Sequence, residues 1–218
     1  TVNPVPKASH PIPNNEEPIV SIYKDKEAPS TGVAFFWKSE PMPIEQNNTM
    51  AAAITDIVKG IIGIVENERL ADIATKPDAP FLAANAGIFG VTNFNDVIYF
   101  ESACKDNSAL TAAEALYTEA EKMGRFGFTS DEISRAKQEI LSQLESKAKK
   151  AETRKNAQFI QPIIANFTKN NYLLAPDMEY AIAQQLMTAL PDQAINEAVK
   201  QVITKENLEV YISGPDKE

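Results

Sequence analysis

The apolar residues of this chain change period four times, and that succession restricts the fold more than any other feature. Residues 19–24 and 31–38 read as strands. The second sets Val33, Phe35 and Trp37 against Ala34 and Phe36, so both faces are apolar and a central position is expected. From Thr49 the spacing becomes three and four: Met50, Ala53, Ile54, Ile57, Val58, Ile61 and Val65 draw one apolar face on a helix running towards Ala74. Gly60 and Gly63 weaken that helix and predict a bend or a close backbone approach. Residues 81–91 and 96–104 are strand-like again, and Thr92-Asn93-Phe94-Asn95 between them signals a hairpin.

The second half is helical. Its clearest boundary is Thr129-Ser130-Asp131-Glu132, a capping box in which the Thr129 hydroxyl accepts from the Glu132 amide while the Glu132 carboxylate reaches back. Gly124 and Gly127 mark where a preceding helix, residues 110–123, should stop. The capped helix carries Ile133, Ala136, Ile140, Leu141, Leu144, Ala148 and Ala151 on one face and should break or kink near Pro162. Shorter helices follow Pro176 and Pro191, and a last strand, 207–213, precedes Gly214-Pro215. The order is two strands, a helix, two strands, four helices and a strand. It predicts an α+β fold of two layers, a mostly antiparallel sheet covered by helices. Pro4, Pro6, Pro11, Pro13 and Pro18 make residues 1–17 an extended proline-rich connector, with 18–218 as a single α+β domain.

The chain carries 21 basic and 30 acidic residues, a net charge of −9. Without a dense Lys/Arg block it lacks the footprint of a nucleic-acid binder or a polybasic membrane docker. Apolar stretches such as residues 50–54 are far below the ~20 residues needed to span a bilayer, so no membrane insertion is expected. No secretory leader is visible, and a start at Thr1 fits a processed product or an excised segment. The compartment stays open, with a soluble protein of the bacterial cytoplasm or periplasm as the expectation.

A single histidine, His10, rules out any metal site needing two imidazoles from this chain; in the connector it reads as a surface residue. A single cysteine, Cys104, excludes an internal disulfide and reads as a buried thiol at a strand end. Asp131 and Glu132 are accounted for by capping, and Glu66 and Glu68 are placed on the polar side of their helix. Gly87-Ile88-Phe89-Gly90 lacks the Lys-Ser/Thr ending of a phosphate loop and predicts a strand bulge. Lys147, Lys149, Lys150, Arg154 and Lys155, interleaved with Glu145 and Glu152, read as a solvated helix end, or else as a basic wall facing a substrate chamber or a neighbouring domain. Asn47-Asn48-Thr49 and Asn166-Phe167-Thr168 match the glycosylation pattern, which carries nothing without a eukaryotic secretory route.

Several segments together resemble the pitrilysin/insulinase family of zinc metallopeptidases, the inverted zincins. They are Asn67-Glu68-Arg69-Leu70-Ala71-Asp72-Ile73, then Ala79-Pro80-Phe81 and Ala83-Ala84-Asn85-Ala86, then the run from Glu119 through Gly124-Arg125-Phe126-Gly127-Phe128-Thr129 to Glu132 and Arg135-Ala136-Lys137. Ala189-Leu190-Pro191 and the closing Asn207-Leu208-Glu209-Val210-Tyr211-Ile212-Ser213-Gly214-Pro215 agree too. The resemblance spans about Pro18 to Pro215.

It implies a two-layer domain like those of mitochondrial-processing-peptidase-like metallohydrolases, repeated within a longer parent. The zinc motif of that family, H-x-x-E-H, is absent here, because His10 is the only histidine. The resemblance therefore implies zinc in an upstream domain of the parent, no cofactor, metal ligand or catalytic residue in this segment, and a zinc-bearing domain and peptides as its partners. Residues 74–81 contain neither the Arg nor the Tyr that family domains of the carboxy-terminal half use on substrate, which favours the second domain of the amino-terminal half. Two functions follow as expectations: a non-catalytic domain of a zinc endopeptidase helping to enclose a peptide chamber, or a domain of an inactive relative acting as a scaffold.

Overall fold

The computed structural model describes residues 10–92, 94–105 and 107–216. Five strands form one sheet in the order β1-β5-β2-β4-β3: β1 (Ile19–Asp25), β2 (Thr31–Ser39), β3 (Phe81–Gly90), β4 (Asp96–Cys104) and β5 (Leu208–Pro215). β1 lies parallel to β5 and every other pair is antiparallel. The two-layer α+β reading therefore holds, with β2 central as its two apolar faces require. The helices are α1 (Met50–Ala74), α2 (Ala109–Phe126), α3 (Ser130–Lys149), α4 (Ala157–Lys169), α5 (Pro176–Ala189) and α6 (Asp192–Val199).

The core lies between one sheet face and the helices. Val33, Phe35 and Trp37 of β2 and Ile98, Phe100 and Cys104 of β4 meet Ile57, Ile61, Ile62 and Val65 of α1, Leu116 and Met123 of α2, and Ile133 of α3. Burial of such side chains contributes roughly 1.5–3 kcal/mol each. Trp37 satisfies its one donor by giving its indole N–H to the Thr204 carbonyl at 3.1 Å. β3, at one edge, is closed by a side chain: Asn67 of α1 accepts from the Ala86 amide at 3.1 Å and donates to the Ala86 carbonyl at 2.9 Å. β1 forms the opposite edge.

Several expectations need correcting. After β4 there are five helices rather than four. α3 ends at Lys149, a 3-10 turn (Ala151–Thr153) follows, and Pro162 sits inside the additional helix α4 instead of breaking α3. α2 runs through Gly124 and stops only at Gly127, whose φ of 72° lies in the positive region that glycine tolerates without a Cβ clash. Gly124 instead admits Ile203, as a Cβ there would stand 3.0 Å from the Ile203 Cβ. Of the two glycines in α1, Gly60 provides the expected close approach, to Ile140 of α3, whereas a Cβ on Gly63 would touch nothing. Gly87–Gly90 is regular strand; the bulge falls at Leu82, between the Phe81–Cys104 and Ala83–Ala103 pairs. The hairpin forms with the Val91 amide donating to the Asn95 carbonyl at 3.0 Å, and Asn93 lies outside the described residues.

The capping box of α3 forms in full. The Glu132 amide donates to Thr129 Oγ1 at 3.3 Å, and the Thr129 amide donates to Glu132 Oε2 at 2.7 Å. Thr129→Ala is expected to destabilise the fold by about 1 kcal/mol. Lys149→Ala removes only an exposed ion pair within one helix, to Glu145 at 2.9 Å, and should change stability by less than about 0.5 kcal/mol. Urea melts of both variants check the contrast, and equal midpoints would contradict it.

Candidate functional site: the open sheet face and a buried carboxylate cluster

The strand period of two sends alternate side chains away from the helices. Ala34 and Phe36 of β2, Tyr99 and Glu101 of β4 and Tyr211 of β5 point outwards in register, with Phe36 opposite Tyr99 and Ala34 between Tyr211 and Glu101. None of them belongs to the core cluster. Phe89 and Tyr211 are 46% and 40% exposed, and Gly87 makes room for the Tyr99 ring, which a Cβ there would meet at 3.0 Å. This face holds a concavity of about 490 Å³ lined by Gly32, Ala34, Phe36, Asn85, Glu101, Tyr211 and Ser213. A second, of about 760 Å³, opens between Phe36, Phe89, Tyr99 and α1. The first offers aromatic contact, amide and hydroxyl hydrogen bonds and one carboxylate, a composition suited to binding an extended peptide. Its lining contains no imidazole, thiol or amine.

One end of this face is covered by the connector. Lys38 donates to the Pro13 carbonyl at 2.8 Å and pairs with Glu209 at 2.8 Å, while the Asn15 amide donates to Asn207 Oδ1 at 3.0 Å. His10 stands exposed just before these contacts, and among the described residues no group of three or more His, Cys, Asp or Glu that could hold a metal is found.

On the opposite side of the sheet, three helices bring carboxylates around one guanidinium. Arg69 of α1 holds Glu132 of α3 bidentately, Nε to Oε1 at 2.7 Å and Nη2 to Oε2 at 2.9 Å. Its Nη1 lies 3.3 Å from Glu66 Oε1 and 3.8 Å from Glu119 Oε1 of α2, and its guanidinium stands 5.1 Å from the centre of the Phe128 ring. Lys122 pairs with Glu119 at 2.9 Å. Glu66 is fully buried, which overturns its placement on a polar helix face; only Glu68 is exposed, 3.4 Å from Arg135. Burial pushes the Glu66 carboxyl up to about 8; Arg69 opposes this, and the charges of Glu119 and Glu132 add to it. Burial would also raise Glu132, but hydrogen bonds from Arg69 and from the Thr129 amide and hydroxyl outweigh it and hold Glu132 at about 2. With Glu66 protonated, two cations balance two anions.

A catalytic zinc does not fit these residues. Among the described residues no three His, Cys, Asp or Glu side chains form a metal-ligand group, and the carboxylates that converge have the Arg69 guanidinium between them. The other candidates have partners within the chain. Cys104 is buried with its Sγ 3.5 Å from Ser102 Oγ. Lys147 pairs with Glu179 of α5, and Arg154 lies over the Phe159 ring at 4.1 Å. Both glycosylation-pattern amides are engaged inside the chain, Asn47 donating to the Lys169 carbonyl at 2.9 Å and Asn166 to the Asn171 carbonyl at 2.6 Å. A further cavity of about 490 Å³, mostly apolar, lies between α1, α3 and α5, where Tyr172 donates to Asp56 at 2.8 Å. Burial, and then the Asp56 charge, raise the Tyr172 hydroxyl above its ordinary value. That cavity could not be read from the sequence, because its walls come from segments more than 100 residues apart, as the Tyr172–Asp56 bond shows. No helix of the described residues is long and apolar enough to cross a membrane.

No protein-family model matches this chain, and no curated protein matches it by sequence. Solved structures do. The first half of the periplasmic protease PqqL from Escherichia coli superposes with a TM-score of 0.84 at 17% identity, over 97% of this chain and 45% of that one. A predicted insulinase family protease from Yersinia pestis gives 0.71 at 15% identity, over 98% and 45%. A peptidase M16 inactive domain from Pseudomonas fluorescens gives 0.67 at 11% identity, over 99% and 47%. The chain thus spans less than half the length of each of these structures. The fold of this chain is that of an M16, insulinase-like peptidase domain.

Proposed function

We propose that this chain is a non-catalytic domain of an M16-type zinc metalloendopeptidase, packing on a separate zinc-bearing domain of its parent and helping to wall a chamber that encloses peptides. The observation that carries this reading is the coverage: 97% of this chain superposes on only 45% of a protease half, so one such half has room for a second domain of similar size. The open sheet face supports the role. Its aromatic and hydrogen-bonding concavity can hold an extended peptide, while its lining supplies no thiol or amine and no imidazole to activate its hydroxyls. The contribution of such a wall is to orient the peptide and exclude water, which can lower a barrier by several kcal/mol without touching the metal.

The test compares the full parent with a version lacking residues 18–215, measuring zinc content and turnover of long and short peptides. Zinc should stay bound while turnover falls, most for long peptides. In the intact parent, Tyr211→Ala with Glu101→Gln should raise KM for long peptides several-fold and leave zinc content unchanged. Full activity after the deletion, on both peptide lengths, would refute the chamber role. The second reading, a scaffold in an inactive relative, is favoured by the Pseudomonas fluorescens structure described as an inactive domain. It replaces the first if the parent lacks H-x-x-E-H and turns over no peptide.

A further inference from the structure

The helix α4 has no buried residue, and among the described residues it packs extensively against no other element. Its apolar side chains Phe159, Ile160, Ile163, Ile164 and Phe167 are between 40% and 89% exposed. A helix of 13 residues is marginal in water without a packed face, and this one is built largely from weak helix formers. Pro162 also removes the hydrogen bond that would reach the Gln158 carbonyl. Among the described residues its C-terminal end is fastened by Asn47 donating to the Lys169 carbonyl at 2.9 Å and Asn170 donating to the Ile44 carbonyl at 3.1 Å, and at its other end Arg154 lies over the Phe159 ring.

We propose that the apolar face of α4 is the docking surface for the domain that adjoins this one in the parent chain. The proposal rests on the reading above only in requiring such a second domain. Three observations select that occupant. The superposed protease halves leave more than half of their length for other parts of the protein. The connector reaches the fold at the same end as α4: the Ile12 amide donates to Asn95 Oδ1 at 3.0 Å, and a cleft lined by neighbouring Asp96 and Thr92 is lined also by Lys169, Asn171 and Tyr172. A domain tethered there would face α4 at high effective concentration. Finally, residues 153–176 carry Arg154, Lys155 and Lys169 and no acid, in a chain of net charge −9, so the fitting partner is an apolar groove with an acidic rim.

Hydrogen exchange on the full parent tests this. The α4 amides should exchange at least about 100-fold more slowly than an unstructured peptide. Ile163→Asp with Phe167→Asp should abolish that protection and lower the melting temperature, whereas Gln161→Asp, a change of charge at a polar position of the same helix, should alter neither. Peptide turnover is not a readout, so a parent without peptidase activity leaves the test intact. Unprotected α4 amides in the wild-type parent would overturn the proposal. So would protection that disappears on dilution, which indicates a second copy, or protection that requires anionic lipid vesicles, which indicates a membrane surface.

Discussion

Arg69→Met should destabilise the fold by about 3 kcal/mol, the low end for removing one partner of a buried ion pair. Methionine keeps most of the apolar stem of arginine, so lost packing is not the main cause. What disappears is, among the described residues, the only cation within 4 Å of Glu66 and Glu132, and with it the bidentate hold on the residue that completes the capping box of α3. Glu66, Glu119 and Glu132 then face one another with Lys122 reaching Glu119 alone. Glu66 is already protonated, so Glu132 is the carboxylate left without a cation; it must protonate or admit water, and either response costs stability. Arg135→Met is the control. It breaks a pair whose two side chains are 56% and 48% exposed and should cost less than about 0.5 kcal/mol. Guanidinium melts of the two variants decide the matter, and equal shifts in midpoint would show that the cluster does not join the helices as described.

The second large effect is a pH dependence produced by Glu66. Its native value of about 8 lies above the ordinary 4.5, so between those values the folded state holds a proton that the unfolded state has released. Stability must then fall as pH rises through this window, by up to about 1.4 kcal/mol per pH unit, and level off above the native value. Glu66→Gln removes the titration and retains the shape. The variant should match the wild type near pH 5 and exceed it by a few kcal/mol near pH 8. Glu132 acts with the opposite sign. Its native value of about 2 gives stability that is present above its ordinary 4.5 and lost as pH falls towards 2, below the window of Glu66 and common to both proteins. Stability differences measured by denaturant at each pH test this, and a difference that stays constant from pH 5 to pH 9 would mean that Glu66 is already ionised in the fold.

Much of the architecture was legible because it rests on short-range physics. The residues of β4, Asp96–Cys104, and the length of α1 follow from periods that any stretch of chain displays by itself. The candidate site was legible only in part. The register of β2, β4 and β5 makes Phe36, Tyr99 and Tyr211 neighbours on one face, yet each reads in sequence simply as an apolar strand residue. Glu66 is the clearest failure of pattern reading. A carboxylate one residue from Asn67 and two from Glu68 looks solvated, and only the approach of α2 and α3 reveals that it is sealed beneath Arg69.

What the sequence determined by itself is therefore what forms within a few residues: the Thr129–Glu132 capping box, the strand and helix periods, the hairpin at Asn95, and a lone histidine that cannot supply two zinc ligands. Tertiary structure alone decided the rest. The parallel pairing of Ile19 with Glu209 joins opposite ends of the chain, Pro162 was accommodated inside a helix, and one sheet face and one face of α4 were left uncovered. The reason is physical. A hydrophobic period shows that a face needs covering, while which face finds cover depends on contacts between residues far apart in sequence, whose energies no local window contains.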